Sequence, residues 1–178
     1  EAPYLFIHMN GALDLLLRCL SNIDEEVLYA ACCALFCLIS RSPPARLLFL
    51  RKRGIGQLLD CVHDYNTAIV TTSLQILCLL AAENSAAREE MRREDVLLGV
   101  LRIVERFPAE DVTLAVLDAA LEAVCHIVLD SPSNQEYVRT NGGMQPVVAA
   151  LAHCAATQSK AEQDQRHNVR WDLTAPEG

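Results

Sequence analysis

Residues 54–82 read GIGQLLDCVHDYNTAIVTTSLQILCLLAA, and this stretch decides the fold. Ile55, Leu58, Leu59 and Val62 fall at offsets 0, +3, +4 and +7, the spacing of one helical face. Asp64, Tyr65, Asn66 and Thr67 interrupt that pattern, because Asn and Asp side chains offer the backbone competing local bonds. A second, longer apolar helix follows, with Ile69, Ser73, Ile76, Leu77 and Leu80 on one face.

The same pair of helices recurs on both sides. A shift of −42 lands the first on Leu13, Leu16, Leu17 and Leu20 and the second on Val27, Ala31, Ala34, Leu35 and Leu38. A shift of +42 lands the first on Leu97, Val100, Leu101 and Val104. The next copy of the second helix needs +47, giving Val116, Ala120, Ala123, Val124 and Ile127, so five residues are inserted between Arg102 and Val112. A fourth copy of the first helix keeps that shift, at Met144, Val147, Val148 and Leu151. A short third helix precedes each first one, marked six residues upstream by Ile7, Phe49, Met91 and Val138. A period of about 40–47 residues with two or three helices per unit predicts an all-α solenoid of three full units and a partial fourth.

Composition agrees. Hydrophobic residues make up 52% of the 178, far from a disordered chain, and aromatics only 5%, so Leu, Ala and Val do the packing. No run of about 18 uncharged apolar residues predicts a membrane span, and residues 1–11 lack the basic segment of a secretory signal. The chain begins on a repeat and without Met, which suggests a piece of a longer protein. A net charge of −8 argues against general nucleic-acid binding, where affinity comes from neutralising phosphates. The eight Cys form no CxxC and lie within or at the end of apolar helical stretches, so they are read as small buried hydrophobes in a reducing, cytoplasmic setting, with the nucleus left open.

The units divide as 1–41, 42–83, 84–131 and 132–156, with a polar tail at 157–178. In the first, residues 4–9 form the short helix, Asn10-Gly11 turns the chain, and Asn22, Asp24, Glu25 and Glu26 cap the long helix. The second opens at Ser42-Pro43, an N-cap followed by Pro at the first helical position, and Gly54 makes its corner. The third opens at Asn84-Ser85 and has Asp95 at the corner. Pro108 ends the helix over 95–107, about a turn longer than its counterparts, and Glu110 and Asp111 begin the next. The fourth opens at Ser133 with Glu136 three residues on, a capping box, and turns at Gly142-Gly143.

NGALDLLLRCL, VLYAACCALFCLIS and NQEYVRTNGGMQPVVAAL carry a family likeness. The first resembles the corner and second helix of the armadillo-repeat family, the second its third helix, and the third its junction between units. The resemblance covers about residues 1–156. It implies a right-handed superhelix of three-helix units whose third helices line a concave groove for extended peptides or partner helices. In the importin and catenin branches the third helix carries a Trp and, four residues on, an Asn. Here those positions hold Cys33, Gln75 and Glu122, and Cys37, Leu79 and His126. The ladder is absent, which sets the chain apart from receptors of nuclear signals. The groove wall expected from the resemblance is Ala30, Cys33, Cys37, Thr72, Gln75, Leu79, Ala119, Glu122 and His126. The expected function is a non-enzymatic scaffold that binds a partner protein there. The alternatives are a structural or autoinhibitory segment whose groove is filled by its own chain, and a transport-receptor fragment.

Two basic clusters, Arg46, Arg51, Lys52 and Arg53, and Arg88, Arg92 and Arg93, stand 42 residues apart and are expected to stack on one ridge with Arg139. Acidic neighbours at Glu89, Glu90, Glu94 and Asp95 also suit an ordinary solvated edge. Cys33 and Cys37 share a helix face, but no further ligands stand at metal-site spacing. Cys125 and His126 are adjacent on a helix and point about 100° apart, too divergent for a nucleophile and base. No catalytic residue, metal or cofactor is assigned. In the tail, Val169, Trp171 and Leu173 alternate as in an extended segment, suited to docking on the open end of the fourth unit or to serving as a linear motif.

Overall fold

The protein is all-helical among the residues described in the computed structural model, which are 2–64, 66–82, 84–107 and 112–172, with side chains described within 9–160. The helices are α1 (Ala2–Cys19), α2 (Glu25–Arg41), α3 (Pro43–Arg51), α4 (Gly54–Val62), α5 (Thr67–Ala81), α6 (Ser85–Arg93), α7 (Val96–Arg106), α8 (Leu114–Val128), α9 (Pro132–Thr140) and α10 (Met144–Asp172). The central long helix α5 packs against α2 on one side and α8 on the other, and rests on α4. The shorter α4 and α7 lie against each other, and α10 lies against α7.

Local chemistry repeats in register. Asp24, Asn66 and Thr113 each N-cap a long helix, their side-chain oxygens accepting from backbone N–H groups of its first turn. Ser42 and Asn84 cap α3 and α6 in the same way. A left-handed residue stands at each later corner: Arg53 (φ 56°), Asp95 (φ 57°) and Gly142 (φ 71°). The corner of the second unit is therefore Arg53 and not Gly54. Gly54 is instead the first residue of α4, and a Cβ there would stand 2.4 Å from the Phe49 ring. Gly143 is held likewise against Val138 and Leu101.

The long helices end in a shared device too. Arg46 Nε donates to Ile39 O at 2.8 Å and Arg88 Nη1 to Ala81 O at 3.0 Å. Asn134 Nδ2 donates to Ile127 O at 2.9 Å, and Gln135 Nε2 to Val128 O at 3.1 Å. Each side chain reaches back seven residues to satisfy a carbonyl that a helix end leaves without an internal partner.

The predicted core is buried in the middle except at Leu59, which is half-buried beside buried Ile55, Leu58 and Val62. Ile69, Ser73, Ile76, Leu77 and Leu80 are buried, as are Val116, Ala120, Ala123, Val124 and Ile127. Leu97, Val100, Leu101 and Val104 are buried, and so are the markers Phe49, Met91 and Val138. The two ends depart from the pattern. On α2, Val27 and Ala34 are exposed and Leu38 is half-buried, while Leu28, Cys32 and Ile39 take the core with Ala31 and Leu35. On α10, Met144, Val148 and Leu151 are 54%, 59% and 54% exposed, and only Ala150 is fully buried. In each case the helix that covers the equivalent face in the middle units has no counterpart among the described residues.

Other expectations need correction. No turn occurs at Asn10-Gly11: α1 runs through it, and Gly11 stands in open space. The α7 helix is 11 residues against 9 for α4, two residues longer and not a full turn. Thr113 caps α8; Pro108, Glu110 and Asp111 lie outside the described residues. The fourth unit opens at Ser131-Pro132, not Ser133, and Glu136 pairs with Arg139 at 2.5 Å in place of a capping box. Where a tail is expected from 157, the backbone stays helical to Asp172. Ala, Gln, Lys and Glu dominate residues 155–165, and their high helix propensity accounts for the continuation.

Candidate functional site

The long helices α2, α5 and α8 lie side by side, so residues one period apart on their outer faces form rows. Cys33, Gln75 and Glu122 make one row: Cys33 is half-buried, the other two exposed. Cys37, Leu79 and His126 make the next, with Cys37 exposed and the others half-buried. Four residues N-terminal, Tyr29, Thr71 and Asp118 complete the face, Tyr29 and Asp118 both exposed. Of the residues expected beside them, Ala30 is exposed, Thr72 is half-buried with its hydroxyl donating to Ala68 O at 2.8 Å, and Ala119 is buried.

Character changes along the face. Its α2 column is Tyr29, Cys33 and Cys37, apolar and thiol-bearing. A hydrogen bond with the Cys33 thiol raises the Tyr29 phenol above its ordinary value. The α5 column is neutral, since α5 holds no charged residue. The α8 column is Asp118, Glu122 and His126, and α8 contains no Lys or Arg. His126 Nε2 stands 3.9 Å from Glu122 Oε1, an ion pair only when the imidazole is protonated.

Beneath the face the thiols are shielded. Cys32 Sγ lies 3.8 Å from Ser73 Oγ, joining α2 to α5. The neighbouring Cys32 thiol and burial push Cys61 up. Burial, followed by the Glu122 and Cys125 charges, pushes Cys78 up to about 12. All eight cysteines are free. The reading of them as buried holds for Cys32, Cys61 and Cys78, whereas Cys37 and Cys125 are exposed and Cys19, Cys33 and Cys154 intermediate. No group of three or more His, Cys, Asp or Glu converges on a metal-sized site among the described residues.

The expected basic ridge is divided by its own hydrogen bonds. Arg46 and Arg88 point inward to helix-end carbonyls, and Arg88 is buried. Arg92 and Arg93 both pair with Glu89, at 2.5 and 3.1 Å, and the Arg92 guanidinium holds the Glu89 carboxyl below its ordinary range. Lys52 pairs with Asp14 at 2.5 Å and Arg139 with Glu136. Arg51 and Arg53 remain exposed. Sequence spacing placed these residues in register but did not tell which point at backbone. In the tail, Val169 and Trp171 belong to the helical backbone of α10 and not to an extended segment. Their side chains, and Leu173 altogether, lie outside the described residues.

No described helix is long and apolar enough to cross a membrane. No protein-family description and no curated protein matches the sequence.

Proposed function

We propose that the chain is a non-enzymatic protein-interaction module, an armadillo-type solenoid that binds a partner peptide or helix across the outer face of α2, α5 and α8. One observation carries this reading. Equivalent positions on three adjacent helices are exposed or half-exposed, while Leu35, Leu77 and Val124 on the same helices are buried. Side chains that keep part of their surface open at each period suit a ligand laid across the helices. The chain's own version of that face replaces a Trp/Asn ladder with Tyr29, Cys37 and Leu79 at one end and Asp118 and Glu122 at the other. The partner expected from it is a segment with apolar side chains over α2 and basic ones over α8.

The test compares the wild-type chain with a Cys37→Arg/Leu79→Arg variant, after far-UV circular dichroism has shown both to be folded. Proteins retained from cell extract by the wild type are expected to be lost from the variant and kept by an Arg51→Glu/Arg53→Glu control. Equal retention by the wild type and the Cys37/Leu79 variant removes the face as the working surface.

A further inference from the structure

A cleft of about 780 Å³ opens between the end of α1 and the α3–α4 corner, lined by Asp14, Leu17, Arg18, Ser21, Lys52 and Gln57. Asp14, Leu17, Arg18 and Ser21 fall at offsets 0, +3, +4 and +7, so α1 and the residues just past it turn one side toward the cleft. Lys52, at the C-terminal end of α3, and Gln57 on α4 line it from the other side. The next junction fills the same positions differently. One period on, Asp14, Arg18, Ser21, Lys52 and Gln57 become Gly56, Asp60, His63, Glu94 and Gly99. There the space is taken: a Cβ on Gly99 would stand 2.9 Å from His63 Cε1, and one on Gly56 3.2 Å from Glu94 Oε2. The open cleft and its two cations therefore belong to the first junction and do not follow from the repeat.

The charges in the cleft are only partly matched. Lys52 Nζ lies 2.5 Å from Asp14 Oδ1. Arg18 is exposed, and its Nε donates to Asp14 O at a long 3.4 Å. No carboxylate pairs with the Arg18 guanidinium among the described residues. We propose that the cleft seats an acidic side chain, Asp or Glu, of a partner's peptide, with Arg18 gripping the carboxylate. The planar guanidinium presents parallel N–H donors that match a carboxylate's two oxygens, and the Ser21 hydroxyl and Gln57 amide add further donors. Charge selects the carboxylate over a phosphate. Two cations and Asp14 leave the cleft with one positive charge, which a single carboxylate neutralises; a phosphate dianion would exceed it and be repelled by Asp14. Size selects a peptide over a free anion, because the cleft leaves room for the residues that flank the acid. Neither α1, α3 nor α4 belongs to the outer face of α2, α5 and α8, so this contact stands apart from the one proposed there. The lining groups are open to solvent, so the contact is weak, with dissociation of a short peptide expected at roughly 300 μM.

Titration of the isotope-labelled chain with capped pentapeptides, read from its backbone amide shifts, tests the proposal. One peptide has a central glutamate among glycines and alanines. Two others carry glutamine or phosphoserine in its place, and acetate serves as the free anion. The glutamate peptide is expected to shift the amides of Arg18, Ser21, Lys52 and Gln57 at low salt and to bind less tightly as salt rises. The glutamine peptide is expected to leave them in place. Arg18→Gln should weaken the glutamate peptide about fivefold. Asp14→Asn removes the competing carboxylate and should tighten it about threefold, a gain that damage to the fold would not produce. Both side chains are exposed, and the rest of each spectrum checks the fold. A cleft that does not respond overturns the proposal, as do equal shifts with the glutamate and glutamine peptides. So does an Arg18→Gln variant that binds as well as the wild type. Tighter binding of the phosphoserine peptide, or acetate binding as tightly as the glutamate peptide, overturns it in favour of a phosphate or small-anion site. Shifts confined to α2, α5 and α8 overturn it while leaving the outer face in place.

Discussion

The α7 helix and the first turns of α10 carry the same apolar spacing, and the protein treats them oppositely. Leu97, Val100, Leu101 and Val104 are buried, whereas three of their four counterparts, Met144, Val148 and Leu151, are more than half exposed. Nothing in either stretch accounts for the difference. It comes from α8, which lies on α7 and has no equivalent over α10 among the described residues. The N-terminal end mirrors this. Ile69 and Ile76 of α5 are buried, while their equivalents Val27 and Ala34 on α2, which has α5 on one side and no counterpart of it on the other among the described residues, are open. A helix's apolar pattern specifies which face is offered, and the helix packed next to it decides whether that face is covered.

The comparison is broken most directly in the middle. Leu101→Ala removes a buried side chain that packs under α8 and against Gly143, and should cost about 2–5 kcal/mol, as buried Leu truncations do. Urea unfolding followed by circular dichroism measures it, and a wild-type midpoint would mean that α7 is not covered as described. A smaller effect is expected where the fourth unit joins the third. Asn134 is fully buried, and its amide donates to Arg88 O at 3.0 Å and to Ile127 O at 2.9 Å. Asn134→Ala leaves both carbonyls without that donor, a loss of about 1–3 kcal/mol. Because α9 and α10 hang on this junction, trypsin should also cut the variant faster at Arg139.

Helix existence was legible from the sequence because the period states it several times over. The caps Asp24, Ser42 and Asn84 were legible for the same reason, since a short polar residue before an apolar run has a direct chemical meaning, whereas Asn66 read only as part of an interruption. The corners were harder. Gly54 looked like the flexible residue of the turn, yet its lack of a side chain serves contact with Phe49, while Arg53 takes the left-handed conformation. Gly11 holds the same register position and stays helical, because a corner depends on what packs into it. On the candidate face, Ala30 and Ala119 hold equivalent positions, yet Ala30 is exposed and Ala119 buried. The spacing is the same at both, and packed neighbours alone fix which of them is covered. The basic ridge failed as a unit for a related reason: position along a helix does not tell whether an Arg reaches solvent or, like Arg46, a carbonyl seven residues back.

The smallest expected effect is the sharpest test of the contrast. Leu151 is the register equivalent of Val104 and the larger side chain, so sequence alone ranks its truncation as the more costly. In the single chain it is 54% exposed, and Leu151→Ser should change stability by no more than about 0.5 kcal/mol in dilute solution. Val104→Ser, at a fully buried position, should cost several times more. Urea unfolding of the two variants side by side measures the difference, and an equal loss at both positions would mean that Leu151 is covered as Val104 is.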